Sequence, residues 1–305
     1  MALTPETLIS RVQVNIPFPF LEKGYLELFL ERGLNPEIGL DAYSLSNYQR
    51  REFTRTARAF IKARRRITLH APFQDLLPGA LDEMILRTSR RRLAQAFRLL
   101  PVFQPASIVC HLGYDAKLYL WDRKNWLHRS AATWKEFAAV AATHGVTVML
   151  ENVYEDDPDL FVELLQLANA PNLQVCLDVG HLQAFGDGDY GRWLNTLWPH
   201  IGQLHLHDNQ GDKDDHLALG QGTVPWPWAR APCPWISSST SWPAGTANPW
   251  SPWNPTRKAA WPPLWNTWPI SGPGNDGNII PVILAGPAIS VNPGKVHCMD
   301  DGRKK

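Results

Sequence analysis

The sequence predicts an α/β fold, a (β/α)8 barrel incomplete at its eighth βα unit, and three observations predict it. Short β-branched or apolar runs alternate with longer stretches of helical spacing about seven times; metal-ligating residue types end five of those runs; and after Thr223 the composition changes so far that no eighth unit can be read. Strand, helix and strand in repetition imply a parallel sheet with crossover helices. Seven strands favour a closed sheet over an open, doubly wound one.

The strand candidates, in order, are VQVNI, EIGLDA, ITLHA, SIVCHL, VTVMLEN, LQVCLDV and IGQLHLH. Between the third and fourth, ALDEMILRTSRRRLAQAFRLL sets Leu81, Met84, Ile85, Leu93, Phe97 and Leu100 on one expected helix face. WKEFAAVAATHG closes on Gly145, a residue favoured just past a helix end. DPDLFVELLQLANAPN opens with an acidic first turn and stops before Pro171.

What ends the strands carries the chemistry. His70, His111, Glu151, Asp178 and His205 terminate five successive runs, at intervals of 41, 40, 27 and 27 residues, each near the length of one βα unit. The carboxy ends of barrel strands converge on one mouth, so these residues become neighbours there. Converging imidazoles and carboxylates suit a divalent cation. His181 follows Asp178 by three residues, and Asp214 with His216 forms a D-x-H pair after the seventh strand. His207 and Asp208 are weaker candidates, because HLHDN can be read as satisfying loop hydrogen bonds. His128, His144 and His200 sit in helical or loop contexts and read as structural.

Composition excludes some partners. With 30 Lys+Arg against 29 Asp+Glu the net charge is +1, which gives no global attraction to nucleic acid or membrane. The arginine runs at 63–66 and 89–92 read as solvated outer helix faces, and the glycines of LGQG are a weak sign of close ligand approach. No run is long and apolar enough for a membrane span, and the amino terminus does not read as a signal peptide. Cys110, Cys176, Cys233 and Cys298 form no CxxC pair; a reduced, cytoplasmic setting is expected.

Taken together, LHAPF, VCHLGYD, LENV, CLDVGH, LHLHDN and D-x-H followed by LGQG resemble the xylose isomerase-like TIM barrels over residues 12 to 226. That superfamily includes sugar and sugar-phosphate isomerases and epimerases, and the endonuclease IV type of AP endonuclease. The isomerase resemblance implies that Glu151, Asp178 and His205 hold one divalent ion (zinc, manganese, magnesium or cobalt), with His181 near a small sugar or sugar-phosphate substrate and Glu151 as acid/base. The endonuclease resemblance implies a larger ligand set, His70, His111, Glu151, Asp178, His181, His205, Asp214 and His216, with several metals activating water. The surplus of histidines favours the hydrolase and the neutral charge balance counts against it; the number of such barrels that handle sugars leaves isomerase or epimerase narrowly ahead, with nucleic acid unexpected.

Both patterns require a further Glu at the end of the eighth strand, and none occurs after Glu163. Residues 1–223 are expected to form the barrel. Residues 224–305 form a Trp/Pro-rich tail with nine of the 14 tryptophans, 15 of the 26 prolines and only Asp276, Asp300 and Asp301 as acids. Proline at that density blocks both helix interiors and central strands. A disordered tail, or a reading frame shifted near Val224 to Trp228, is expected, with activity lost or the chain a non-catalytic remnant. On that expectation the first and seventh strands keep unpaired edges, although NIIPVILAGPAISV offers one interrupted strand.

Overall fold

The computed structural model describes residues 12–186 and 188–224, together with the backbone of Ile280–Ile283. Eight parallel strands close a barrel in sequence order: β1 Gln13–Pro17, β2 Asn35–Gly39, β3 Thr68–His70, β4 Ser107–His111, β5 Thr147–Glu151, β6 Leu173–Asp178, β7 Ile201–Leu206 and β8 Ile280–Ile283. Outside lie α1 Leu26–Arg32, α2 Arg50–Lys62, α3 Glu83–Phe97, α4 Arg123–Ala142, α5 Asp159–Ala168, α6 Val179–Ala184 and α7 Tyr190–Leu197. Among the described residues no helix is long and apolar enough to cross a membrane.

Local chemistry sets the helix ends. Asp82 accepts the N–H groups of Met84 and Ile85 at the start of α3, Gly33 ends α1 at φ 66°, and Asn169 ends α5 at φ 46°. The buried stripe of α3 is Leu86, Leu93, Ala96 and Phe97, whereas Met84 and Ile85 are exposed. The cap at Asp82 puts those two in the first turn, on the outer side of the helix. Arg90, on α3, pairs with Glu136, whereas the run at 63–66 lies beyond the end of α2 and not on a helix face, and Arg65 there donates to the Gly33 carbonyl at 2.6 Å.

The main core lies between sheet and helices, with Trp126, Trp134, Trp193 and Phe161 fully buried. A small second cluster, Val109, Met149 and Cys176, plugs the barrel interior. Burial pushes the Cys110 and Cys176 thiols up, away from reactivity.

Of the eighth unit only the four residues of β8 are described; the rest of 225–305, with Cys233, Cys298 and the Trp/Pro tail, lies outside the described residues. The expected unpaired edges are not found. β8 pairs with β7 over Gln203↔Ile280 to Leu206↔Ile283 and with β1 at Gln13↔Val282 and Val14↔Ile283. Pro281 pairs with Leu204 of β7, and the β1 ladder begins one residue later, at Val282.

Candidate metal centre

Alternation along the strands builds the interior. Thr68 and His70, Ser107 and Val109, Met149 and Glu151, Cys176 and Asp178, and Gln203 and His205 occupy positions two apart, so each strand sends successive inward side chains up toward the mouth. The parallel register sets His111 beside Glu151 and Asp178 beside His205. The sequence-predicted residues thereby meet in three clusters, each with donor atoms within 4.8 Å of one another: His70, His111 and Glu151; Glu151, Asp178 and His205; and His181, His207, Asp214 and His216. Glu151 belongs to two of them.

Glu151 is the hub. It lies 3.0 Å from His70 Nε2, 3.3 Å from His111 Nε2, 3.3 Å from His181 Nδ1 and 3.1 Å from His205 Nδ1. Backbone contacts orient the rings: His70 Nδ1 donates to the Ala71 carbonyl at 2.9 Å and His181 Nδ1 to the Asn152 carbonyl at 2.9 Å. Each leaves its Nε2 aimed into a cluster. Asn152 also ties β5 to β6, donating to the Asp178 carbonyl and accepting from its N–H. Asp178 caps α6 through the His181 N–H at 2.7 Å and meets His207 Nε2 at 2.9 Å with the same oxygen.

The segment after β7 supplies the remaining ligand types. Asp208 accepts the N–H groups of Asn209, Gly220 and Val224, and pairs with Leu217 through the backbone in both directions. HLHDN thus does satisfy loop hydrogen bonds at Asp208 and Asn209, and the LGQG glycines pack on them. This folding returns Asp214 and His216 to the mouth, where Asp214 lies 3.3 Å from His181 Nε2 and 3.0 Å from His216 Nε2. His216 adopts φ 49°, a left-handed conformation uncommon outside glycine and found at functional sites.

Charge is balanced inside the site. Burial disfavours ionised Glu151, yet His205 and His111 hold it well below the usual carboxylate range. Burial likewise opposes charge on His181 and His205, but Asp178 for the first, and Cys176 and Glu151 for the second, raise them well above an ordinary imidazole. For His111 burial wins and lowers it. Among the described residues, two buried ligand-type atoms, Asp178 Oδ2 and His207 Nδ1, have no hydrogen-bond partner. A buried polar atom without a partner is costly, and a cation in these clusters would supply one; the donor set fits a divalent ion.

Three residues were underrated or missed. His207, read as weak, is fully buried within the third cluster. Glu37, on β2, is fully buried 3.2 Å from His205 Nε2; its signal is a carboxylate inside the strand EIGL. Glu155 is buried just past β5, accepting the N–H groups of Tyr114 at 2.9 Å and Val153 at 2.6 Å. Burial pushes its carboxyl from 4.5 up to about 7, against the pull of those N–H groups. A raised carboxyl stabilises the fold in full below the unfolded value and loses that contribution as pH rises through the folded one. Glu155→Gln should therefore flatten the stability profile between about pH 5 and 8 by up to about 3 kcal/mol. Urea unfolding at stepped pH checks this; parallel curves for the two proteins would refute it.

Comparison with known proteins gives a consistent picture. A family model described as xylose isomerase-like TIM barrel matches residues 25–231. An uncharacterized protein of Methanocaldococcus jannaschii, MJ1311, is 27% identical over 165 residues, 52% of this chain and 56% of its own length. A second from that organism, MJ1614, is 26% identical over 161 residues, 52% and 61% of the two chains. The matches thus span little more than half of these curated relatives. Among solved structures, the TTHB071 protein from Thermus thermophilus, soaked with ZnCl2, is 26% identical with a TM-score of 0.64, covering 74% of this chain and 88% of its own. A D-tagatose 3-epimerase-like protein is 18% identical with a TM-score of 0.63, covering 90% and 91%. D-psicose 3-epimerase from Clostridium cellulolyticum is 19% identical, TM-score 0.56, covering 70% and 78%.

Proposed function

The chain belongs to the xylose isomerase-like TIM barrel family, and from that premise we propose that it is a divalent-metal-dependent sugar or sugar-phosphate isomerase or epimerase. The observation that carries the reading is the buried set Glu151, Asp178 and His205 at the carboxy ends of β5, β6 and β7, with donor atoms within 4.8 Å. Sugar epimerases among its structural neighbours support it. Asp178, His205 and one oxygen of Glu151 would hold the ion. When bound, it polarises neighbouring oxygens of a sugar. Glu151, kept ionised by four surrounding imidazoles, removes the proton from carbon and returns it. His181, oriented by Asn152, donates to a substrate oxygen.

A second reading, multi-metal phosphodiester hydrolysis, is favoured by one observation: Glu151 is shared with the His70 and His111 cluster, and His207 links Asp178 to the third. The test is to load the purified full chain with zinc, manganese, cobalt or magnesium, count bound metal by elemental analysis, and assay ketose–aldose and epimer interconversion alongside cleavage of abasic DNA. One strongly bound metal with sugar interconversion supports the first reading. Two or three metals with DNA cleavage establish the second, and a chain that takes up no metal overturns both.

A further inference from the structure

The near-zero charge of the whole chain conceals a division. Residues 50–98 hold 13 Lys+Arg against four Asp+Glu, and 12 of those 13 are arginine; residues 99–224 hold seven against 16. The two signs are also placed differently. Among the acids, Glu151, Glu155, Asp178 and Asp208 are buried, and Asp157 and Asp159 share Arg192 at 2.6 and 3.1 Å. Most of the cations of 50–98 stand in solvent. On α2, Phe53, Thr56, Ala57 and Phe60 are buried, while Arg51, Arg55, Arg58 and Lys62, at i, i+4, i+7 and i+11, form an exposed row on the opposite side. At 1.5 Å per residue the row is roughly 16 Å long. Arg50, Arg51, Thr54, Arg55 and Arg58 line a shallow depression along it. The surface continues onto α3, because Arg92 donates to Ser46 Oγ at 3.1 Å, four residues before α2 begins, and Arg91 and Arg98, seven residues apart, are exposed. Two carboxylates reach this face, Glu22 on Arg55 and Glu83 on Arg87. Arg51, Arg58, Lys62, Arg91 and Arg98 have no acidic partner among the described residues.

We propose that this outer face of α2 and α3 docks the phosphate backbone of a nucleic-acid duplex, without regard to base sequence. Guanidinium is weakly hydrated and forks onto phosphate oxygens, and arginine makes up nearly all of the surface. Phosphates of one strand follow at about 3.4 Å along the duplex axis, so the row on α2 spans about five of them. The chemistry of the face sets other partners aside. No Trp, Tyr or Phe is exposed on either helix, so unpaired bases find no stacking platform. Ile61 is the one large apolar side chain exposed on α2, and Met84 and Ile85 stand in the first turn of α3, so a lipid surface finds no continuous apolar stripe. A second copy of this chain offers acids that are largely buried or already paired. The face lies outside the barrel, and its binding does not depend on the metal centre.

The test titrates the full chain, kept metal-free with a chelator so that no cleavage intervenes, against a short fluorescent DNA duplex of mixed sequence, its single strand, and phosphatidylserine vesicles, at stepped salt. The duplex is expected to bind with a Kd of roughly 10⁻⁴ to 10⁻⁶ M, more tightly than the other two, and to weaken steeply as salt rises. Arg51→Gln combined with Arg58→Gln and Lys62→Gln should bind at least about tenfold more weakly, with a salt slope smaller by about 2 to 3. The control removes the same charge elsewhere: Lys117→Gln with Lys124→Gln and Lys135→Gln, all exposed, should lose far less. Thermal unfolding reports the fold of each protein, and Arg91→Gln with Arg98→Gln on α3 gives a second, independent weakening should the first variant not fold. No duplex binding by the wild type, or equal losses in the two triple variants, would overturn the proposal. So would tighter binding to the single strand or to vesicles, the latter assigning the face to a lipid surface.

Discussion

Glu151→Gln is expected to abolish the proposed sugar interconversion and to weaken metal uptake by the set of Glu151, Asp178 and His205. The substitution keeps the shape of the side chain and removes the one charge that four imidazoles face at 3.0 to 3.3 Å. Loss of an acid/base costs roughly 10²- to 10⁴-fold in rate, and Glu151 is the ligand type shared by two of the clusters. The metal-free fold suffers too, because breaking a buried charge pair costs about 3–5 kcal/mol. Its pH dependence has a definite sign. The lowered Glu151 contributes stability above the ordinary carboxylate pKa and loses it as pH falls; the raised His70, His181 and His205 contribute below about 6.5 and lose it as pH rises. The wild-type advantage should peak between about pH 4.5 and 6.5 and shrink on either side. Thermal unfolding of both metal-free proteins at stepped pH measures it; a difference independent of pH would contradict the charge pairing.

Gly180→Ala is the second large effect, for steric reasons. A methyl group at position 180 would fall inside the imidazole of His207. Neither side has room to yield: His207 is fully buried on Asp178, and the Gly180 carbonyl accepts from Asn209 Nδ2 at 2.8 Å. The ring must leave its place, giving up its 2.9 Å contact with Asp178. Overpacking of this kind costs about 1–3 kcal/mol. On the multi-metal reading, metal content should fall at the cluster of His181, His207, Asp214 and His216 while the set centred on Glu151 retains its ion; on the one-metal reading, stability falls and metal content does not. Elemental analysis with cobalt absorption spectra distinguishes these outcomes, thermal unfolding measures the steric cost, and wild-type stability in Gly180→Ala would refute the clash with His207.

Much of the barrel was legible because strand period and helix spacing are local properties. The runs ending in His70, His111, Glu151 and Asp178 each became a strand with that residue last, and a parallel register carries such residues to one rim. Alternation alone could not say what lies beneath. Glu37 was overlooked because its partners come from β1, β3 and β7, and no sequence spacing announces a contact between residues 37 and 203. His207 was undervalued for a similar reason: HLHD reads as a loop until Gly180 opens the space that receives the ring. Met84 and Ile85 misled because a helical stripe says nothing about where the helix begins, which Asp82 decides.

The seam between β1 and β8 has a consequence in time. Its partners, Gln13 with Val282 and Val14 with Ile283, are only two pairs and lie about 270 residues apart. During synthesis at about 5–20 residues per second, β1 emerges tens of seconds before the strand that will cover it. Through that interval its backbone groups form an open template on the nascent chain, available to a chaperone or to another polypeptide. Once made, so short a seam, matched in length by that between β3 and β4, should open early, so hydrogen exchange at Gln13 and Val14 should run ahead of exchange between β4 and β5, which share five pairs.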